Sequence, residues 1–426
     1  MKTIRIRRHR LLAAAVVTVV ACVGLSACSS GGSSSGGSAP VTLRMLVNVT
    51  PALPVKFYQG LVAPFEKAHP NVKVVIEAPT SSTGNVQDTL TQELAAGTQP
   101  DMIGGQTEPA EAKVMATFPN ASWVAKTPLA KETQIDGRQW MVAASIQAQS
   151  LIFYNKTAFK KAGITQVPTT VDQLTADLKK IKAAGGYVPM DTAGQWVTSA
   201  QCQELASGAV MQDDPNWYSS RNAGKVSFAK SDYSKYMNVY KSWITDGLVP
   251  SDANGVDYND SITAFTSGQA ATYPMGNWIV PSIDSAKKDF QVGVFSAPGF
   301  DGKLVPQVGN PADNYAVLKS SKHKTEAFAL AKYLVTNKAA VTTQLAAEGN
   351  FRTGYTYKAS PLTEDVSKVV NAAPGAVVSG DGFGANTAPS GYSAELSTLM
   401  QGMYLGDSAS KVIQLIDSWW TTNAAH

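Results

Sequence analysis

The sequence predicts an α/β protein. Strand-like and helix-like segments alternate from Val41 to Ile103, and a second alternation of the same kind begins near Leu151. About 400 residues remain once a leader of 27 is set aside from the 426, which is room for two or three domains, or for two lobes of one unit.

The leader comes first. Lys2, Arg5, Arg7, Arg8 and Arg10 precede an apolar run from Leu11 to Ala27, which ends in Leu25-Ser26-Ala27-Cys28. Basic, apolar and small residues in that order make a secretory signal. At 17 residues the run is at the short limit for a bilayer span. The Leu-Ser-Ala-Cys ending resembles the lipobox of bacterial lipoproteins. That resemblance implies cleavage before Cys28, diacylation of its thiol and lipid anchoring at the outer face of the cell membrane, where two chains give stable attachment. Ser29 to Ser38 contains only serine and glycine, the composition of a flexible tether.

Five of the 36 basic residues and none of the 32 acidic ones belong to the leader, so the mature chain carries a net charge of −1. That balance gives no reason to expect a nucleic-acid partner. Only Cys202 remains after Cys22 and Cys28, so the mature domain has no internal disulfide; Cys202 reads as a small buried hydrophobe.

In the first lobe, Val41 to Val47 alternates as a strand and Phe57 to Ala68 reads as a helix. Val72, Val74 and Ile76 make a strand. Val86 to Ala96 is a helix closed by Gly97, and Pro100 to Ile103 begins a third strand. This order predicts a mainly parallel sheet. In the second lobe, Leu151 to Tyr154 is a strand and Thr157 to Ala162 a helix ended by Gly163; Thr170 and Gln173 are spaced as a capping box. Apolar stripes mark helices at Tyr233–Ile244, Phe328–Val335 and Val412–Trp420.

Enzymatic chemistry is thinly supplied. After the leader the histidines are His69, His323 and His426, none placed for a nucleophile–base pair, and no nucleophile elbow, phosphate loop or paired-cysteine metal motif occurs. Gly380 to Ala385 imitates a dinucleotide fingerprint, but Pro389 follows too soon for the helix it must open, so it reads as a loop. Asp252, Asn254, Asp257, Asn259 and Asp260 lack the order of a calcium loop and read as a polar turn. No cofactor or metal is expected. Of the eight tryptophans, Trp196 and Trp278 stand beside polar, loop-like residues, in Gly194-Gln195-Trp196 and Gly276-Asn277-Trp278. Flat aromatic faces beside amide donors suit a sugar, which presents C–H groups on one face and hydroxyls at its edge.

Phe65 to Val74, Leu94-Ala95-Ala96-Gly97-Thr98-Gln99-Pro100-Asp101, Phe153-Tyr154-Asn155-Lys156 with Val167-Pro168-Thr169-Thr170, Phe265 to Ala271 with Gly276-Asn277-Trp278, and Ser320 to Ala327 occur in the order seen in one family. Over residues 41–355 the chain resembles the extracellular solute-binding proteins of bacterial carbohydrate ABC importers, the maltose-binding-protein-like family 1. The resemblance implies the two-lobed periplasmic-binding-protein fold of type II, with a ligand cleft between lobes joined by crossing hinge strands. It implies crossings near 145–152, 309–315 and 349–355, one lobe of 40–148 plus 312–349 and another of 149–311 plus 350–426, after a 1–27 signal and a 28–39 tether. It also implies a monomer that captures a sugar and hands it to the importer's membrane subunits by hinge closure, without turnover. A secreted carbohydrate-active enzyme or a surface adhesin on the same scaffold is the competing expectation.

Ligands of open α/β sheets sit at the carboxyl ends of strands. That rule selects Asn48, Gln106, Glu108, Gln147, Asn310 and Asp313; Arg352 joins them at the third crossing, and Trp196, Asn277 and Trp278 complete the expected site. Asp313 and Arg352 have a second reading, as partners of each other or of backbone across the hinge.

Overall fold

The computed structural model describes residues 39–424, apart from 80–85, 106–108, 306–308, 373–381 and 385. The leader, Cys28 and all but the end of the tether lie outside them. Two sheets organise the described residues. Their strands, in chain order, are β1 (Val41–Val47), β2 (Val72–Glu77), β3 (Met102–Gly105), β4 (Val142–Ala148), β5 (Leu151–Asn155), β6 (Val188–Met190), β7 (Ala270–Met275), β8 (Val292–Ser296) and β9 (Gly309–Val317). The first sheet runs β2-β1-β3-β9-β4 and the second β6-β7-β5-β8.

The first sheet corrects the expected parallel arrangement. β1 pairs in parallel with β2 and β3, but β9 is antiparallel to both β3 and β4. The reason is long-range: β9 is the chain returning from the second lobe, and it inserts between β3 and β4 from the opposite direction. In the second sheet β6 and β7 are parallel, while β5 is antiparallel to β7 and β8.

Each sheet buries both faces. Leu43, Met45 and Val47 of β1 pack with Leu61 and Phe65 of the Val55–Ala68 helix and Leu330 and Leu334 of the Lys324–Thr336 helix. Leu46 and Ile103 face the other way, toward Leu90 and Trp140. In the second lobe Phe153, Tyr273 and Met275 meet Val366 on one face, while Ile152 and Ala271 meet a helical layer that holds Trp217, Trp243 and Trp420 on the other. The capping box forms: Thr170 accepts from the Gln173 N–H, and the Gln173 side chain accepts from the Thr170 N–H.

The chain passes between the sheets at Gln149-Ser150, again between β8 and β9, and a third time after Gly349. Ser150 adopts a left-handed φ of 58° at the first passage, and its carbonyl accepts from the Ala297 N–H at 2.7 Å. Phe351 pairs with Ile146 through two backbone hydrogen bonds, tying the third passage to β4. Among the described residues no helix is long and apolar enough to cross a membrane.

Candidate functional site

The strand directions place the site. β1, β3 and β4 run the same way, so Asn48, Thr50 and Gln147 follow or end strands at one edge, and β9 begins there with Asn310 opposite Gln147. β5 starts directly after the first passage. β6, β7 and β8 run against it or beside its partner, so their carboxyl ends share its starting edge. Both sheets therefore turn the carboxyl ends of their parallel strands toward the crossing segments, where ligands of such sheets bind.

The second lobe supplies aromatic surface. Trp196 follows β6 and is 40% exposed. It was expected in a loop but is the first residue of the Trp196–Asp213 helix. That helix is buried on nearly all sides, so no apolar stripe marks it in the sequence. The Trp196 ring meets the Tyr258 ring at a centroid distance of 5.0 Å. Tyr258 opens the Tyr258–Thr266 helix, and its ring and that of Trp278 pack against the same buried cluster. Trp278 follows β7 and lies over Gly276, where a Cβ would stand 1.9 Å from the ring. Three aromatic side chains from three segments thus join at one edge. Sequence reasoning missed Tyr258; its signal is an aromatic residue inside the polar Asp252–Asp260 turn. In that turn Asp257 caps the helix by accepting from the Asp260 N–H, and the Asn254 amide donates to the Gln401 carbonyl.

The first lobe and the hinge supply the polar side. Asn48 is half-buried; its N–H donates to the Gly104 carbonyl and its own carbonyl accepts from the Tyr58 hydroxyl, which leaves the carboxamide at the edge. Gln147 Nε2 donates to Glu348 Oε2 at 3.1 Å, and Thr50 Oγ1 to Glu348 Oε1 at 3.4 Å. Asn310 is half-buried beside them in the sheet. Gln106 and Glu108 lie outside the described residues.

Three expected contacts belong to the hinge instead. Asn277 is fully buried: its Oδ1 accepts from the Ala148 N–H at 2.6 Å, and its Nδ2 donates to the Glu348 and Gly349 carbonyls and to Asn350 Oδ1. Asp313 is buried at a left-handed φ of 48°, with Oδ2 accepting from Ser145 at 2.6 Å and from Asn350 at 3.0 Å. Its conformation interrupts the ladder opposite Ala144, whose carbonyl accepts instead from Arg352 Nη1 at 3.1 Å. Arg352 also donates to the Val335 carbonyl at 2.7 Å and stacks over Tyr355. Asp313 and Arg352 do not pair with each other; Arg352 takes the backbone role across the hinge. The physical reason is common to all three. Where chain segments cross, interrupted ladders leave buried backbone groups that side chains must satisfy.

Glu348 is the residue that sequence reasoning passed over. It ends the Lys338–Glu348 helix, is capped by Gly349 at a φ of 65°, and is 4% exposed. Burial first, then the field of Asp313, pushes its carboxyl up to about 8, against the hydrogen bonds from Gln147, Asn350 and Thr50. Its field and that of Glu204 reach Tyr258, whose hydroxyl is raised chiefly by burial. Asn277, the chain neighbour of Trp278, donates to the Glu348 carbonyl at 2.9 Å, so the hinge carboxyl and the Trp278 segment adjoin the same crossing.

The family model of the bacterial extracellular solute-binding proteins matches residues 51–341. The chain belongs to this family. A diacetylchitobiose-binding protein of Streptomyces coelicolor is 25% identical over 341 residues, 77% of either chain. Among solved structures, a chitin oligosaccharide binding protein superposes with a TM-score of 0.77 at 19% identity, covering 91% of this chain and all of that one. A sugar transporter from Bacillus licheniformis in complex with stachyose gives 0.72 at 18% identity, covering 89% and 99%. These likenesses establish the two-lobed fold of this solute-binding family.

Proposed function

We propose that this solute-binding protein captures an oligosaccharide outside the cell and delivers it to the membrane subunits of an ABC importer by closing its two lobes. One observation carries the reading: Trp196, Tyr258 and Trp278 form an aromatic group on one side of a site whose other side holds Asn48, Thr50, Gln147 and Glu348. Aromatic faces cover the C–H surface of a pyranose, and the amide and hydroxyl groups reach its hydroxyls. Closure about the crossings would bring the two sides onto one ligand. Asn310 stands at the same edge and would extend the polar side; Gln106 and Glu108 are proposed to do so from the sequence alone. The lobes would run 40–148 with 312–349 and 149–311 with 350–426, with one boundary falling inside β9. Lipidation at Cys28 would hold the domain near the importer on its serine-glycine tether.

The test is calorimetric titration of residues 40–426 with diacetylchitobiose, chitin oligosaccharides and stachyose. Micromolar or tighter binding of at least one, with the sugar recovered unchanged, is expected. Absence of binding to all of them overturns the reading for these sugars, and cleavage of any of them would make the protein an enzyme.

A further inference from the structure

Asp313 and Glu348 are buried together at the hinge, and among the described residues no basic side chain lies beside either. One amide joins them: Asn350 Nδ2 donates to Asp313 Oδ2 at 3.0 Å and reaches Glu348 Oε2 at 3.5 Å. Two carboxylates that share a dry site do not both ionise, because each charge disfavours the other and burial disfavours both. Burial raises the Asp313 carboxyl too, but the two short bonds it accepts from Ser145 and Asn350 favour its charge over that of Glu348. Glu348 holds the proton. Its bonds are longer, and Oε1 has a single partner, the Thr50 hydroxyl at 3.4 Å. Thr50 Oγ1 already accepts from the Leu53 N–H, so it offers Oε1 little competition for a ligand atom. The other titratable groups facing the pair are Tyr58, from the Val55–Ala68 helix, Tyr315, from β9, and Tyr258, all kept neutral by burial. Arg352 is turned away onto the Ala144 and Val335 carbonyls. The pair is wired to every crossing: Gln147 ends β4, Asp313 lies in β9, and Asn350 accepts from Asn277 across the lobes.

We propose that ligand capture is linked to a proton on Glu348: the neutral carboxyl is the form in which the lobes close, with Oε1–H donated to an oxygen of the captured sugar. This rests on the oligosaccharide reading and adds to it a specificity element and a pH response. Two effects give the same sign. Closure removes the remaining water from the carboxyl, and it does so beside the charge of Asp313; each raises the cost of an ionised Glu348 in the closed form. The proton is therefore held more tightly in the closed form than in the open one. Affinity is flat while Glu348 is neutral in the open protein, below about 8. It falls as pH rises further, approaching about tenfold per pH unit for one linked proton.

The experiment titrates the protein and its Glu348→Gln variant with diacetylchitobiose, chitin oligosaccharides and stachyose between pH 6 and pH 10. Each titration is repeated in two buffers of different ionisation enthalpy, which counts protons taken up. Expected for the parent are level affinity to pH 8, a steep fall above it, and uptake approaching one proton per ligand at pH 9. The variant, whose amide cannot ionise, should show no steep fall and no uptake. A parent whose affinity and proton count do not change with pH overturns the proposal, as does a variant that keeps the parent's fall. If none of these sugars binds at pH 6.5, the oligosaccharide reading fails for them, and the hinge assignment is then read from the thermal midpoint alone. It should decline as pH rises from 6 toward 8 and level above that, more steeply in the parent than in the variant, where only groups such as Asp191 still contribute; equal profiles overturn it.

Discussion

On the proposed reading Trp278 carries both packing and recognition. Its inner face lies over Gly276 and against the cluster that also receives Tyr258, which holds the ring in place before any ligand arrives. Trp278→Ala should weaken sugar binding by about 1–3 kcal/mol, the worth of burying one large apolar side chain. Trp196→Ala should cost less, because that ring is 40% exposed and braced by Tyr258 alone among aromatic neighbours. Calorimetric titration of both variants checks this, and unchanged affinity in a folded Trp278→Ala protein would assign the ring to packing. Asp191 makes a different prediction at the same scale. It follows β6, is 3% exposed, and its Oδ2 has no hydrogen-bond partner. Burial pushes its carboxyl up to about 7 from an ordinary 3.8, against one bond from the Thr192 N–H. A folded-state value above the unfolded one means that folding binds a proton, so this contribution is present below pH 3.8 and is lost as pH rises toward 7. Asp191→Asn should therefore raise stability by up to about 4 kcal/mol at pH 9 and change it little at pH 3.5. Denaturant unfolding at the two pH values decides it.

At the scale of elements, the segment from Gly276 to Trp278 is a joint between lobes. Gly276 has an ordinary φ of −81°, so alanine fits the backbone there; what it displaces is the Trp278 ring. Gly276→Ala should reduce affinity and shift the tryptophan fluorescence while the thermal midpoint changes less. Asn277→Ala should do the reverse. It strands the Ala148 N–H and removes a donor from the Glu348 and Gly349 carbonyls, all buried. Each such group costs about 1–3 kcal/mol when left unpaired, so the loss should be on the order of 3 kcal/mol, read from urea unfolding. The elements themselves were legible to different degrees. The Val86–Ala96 helix and the Thr170 cap could be read from periodicity and spacing, because their patterns are local. The Trp196–Asp213 helix could not, because burial on all sides leaves no polar face to set a period.

For the whole molecule, two sheets joined by three passages make a hinge in which side chains replace interrupted ladders. Closure around a ligand should lower the radius of gyration in small-angle scattering. A sugar that binds without any change in the scattering curve would count against delivery by hinge closure. Anchoring is tested in cells: Cys28→Ala should release the protein from the membrane fraction or leave it unprocessed, and unaltered fractionation would remove the lipid from the proposal.

The sequence by itself determined the class of the protein. Alternating strands and helices, an apolar run ending in Leu-Ser-Ala-Cys, and five motifs in family order depend only on neighbouring residues, and so they are readable in one dimension. The expected positions of Asn48, Gln147 and Asn310 near strand ends could be read the same way, because strand ends are local features. Only the tertiary structure decided what each polar residue does there. Asn277, Asp313 and Arg352 became hinge residues because β9 returns between β3 and β4 and leaves backbone groups that need partners. On the proposed reading Tyr258 and Glu348 join the site because Asn277, after β7, meets the end of the Lys338–Glu348 helix, 71 residues away in sequence. No spacing along the chain encodes that meeting; it follows from the order in which the strands pair.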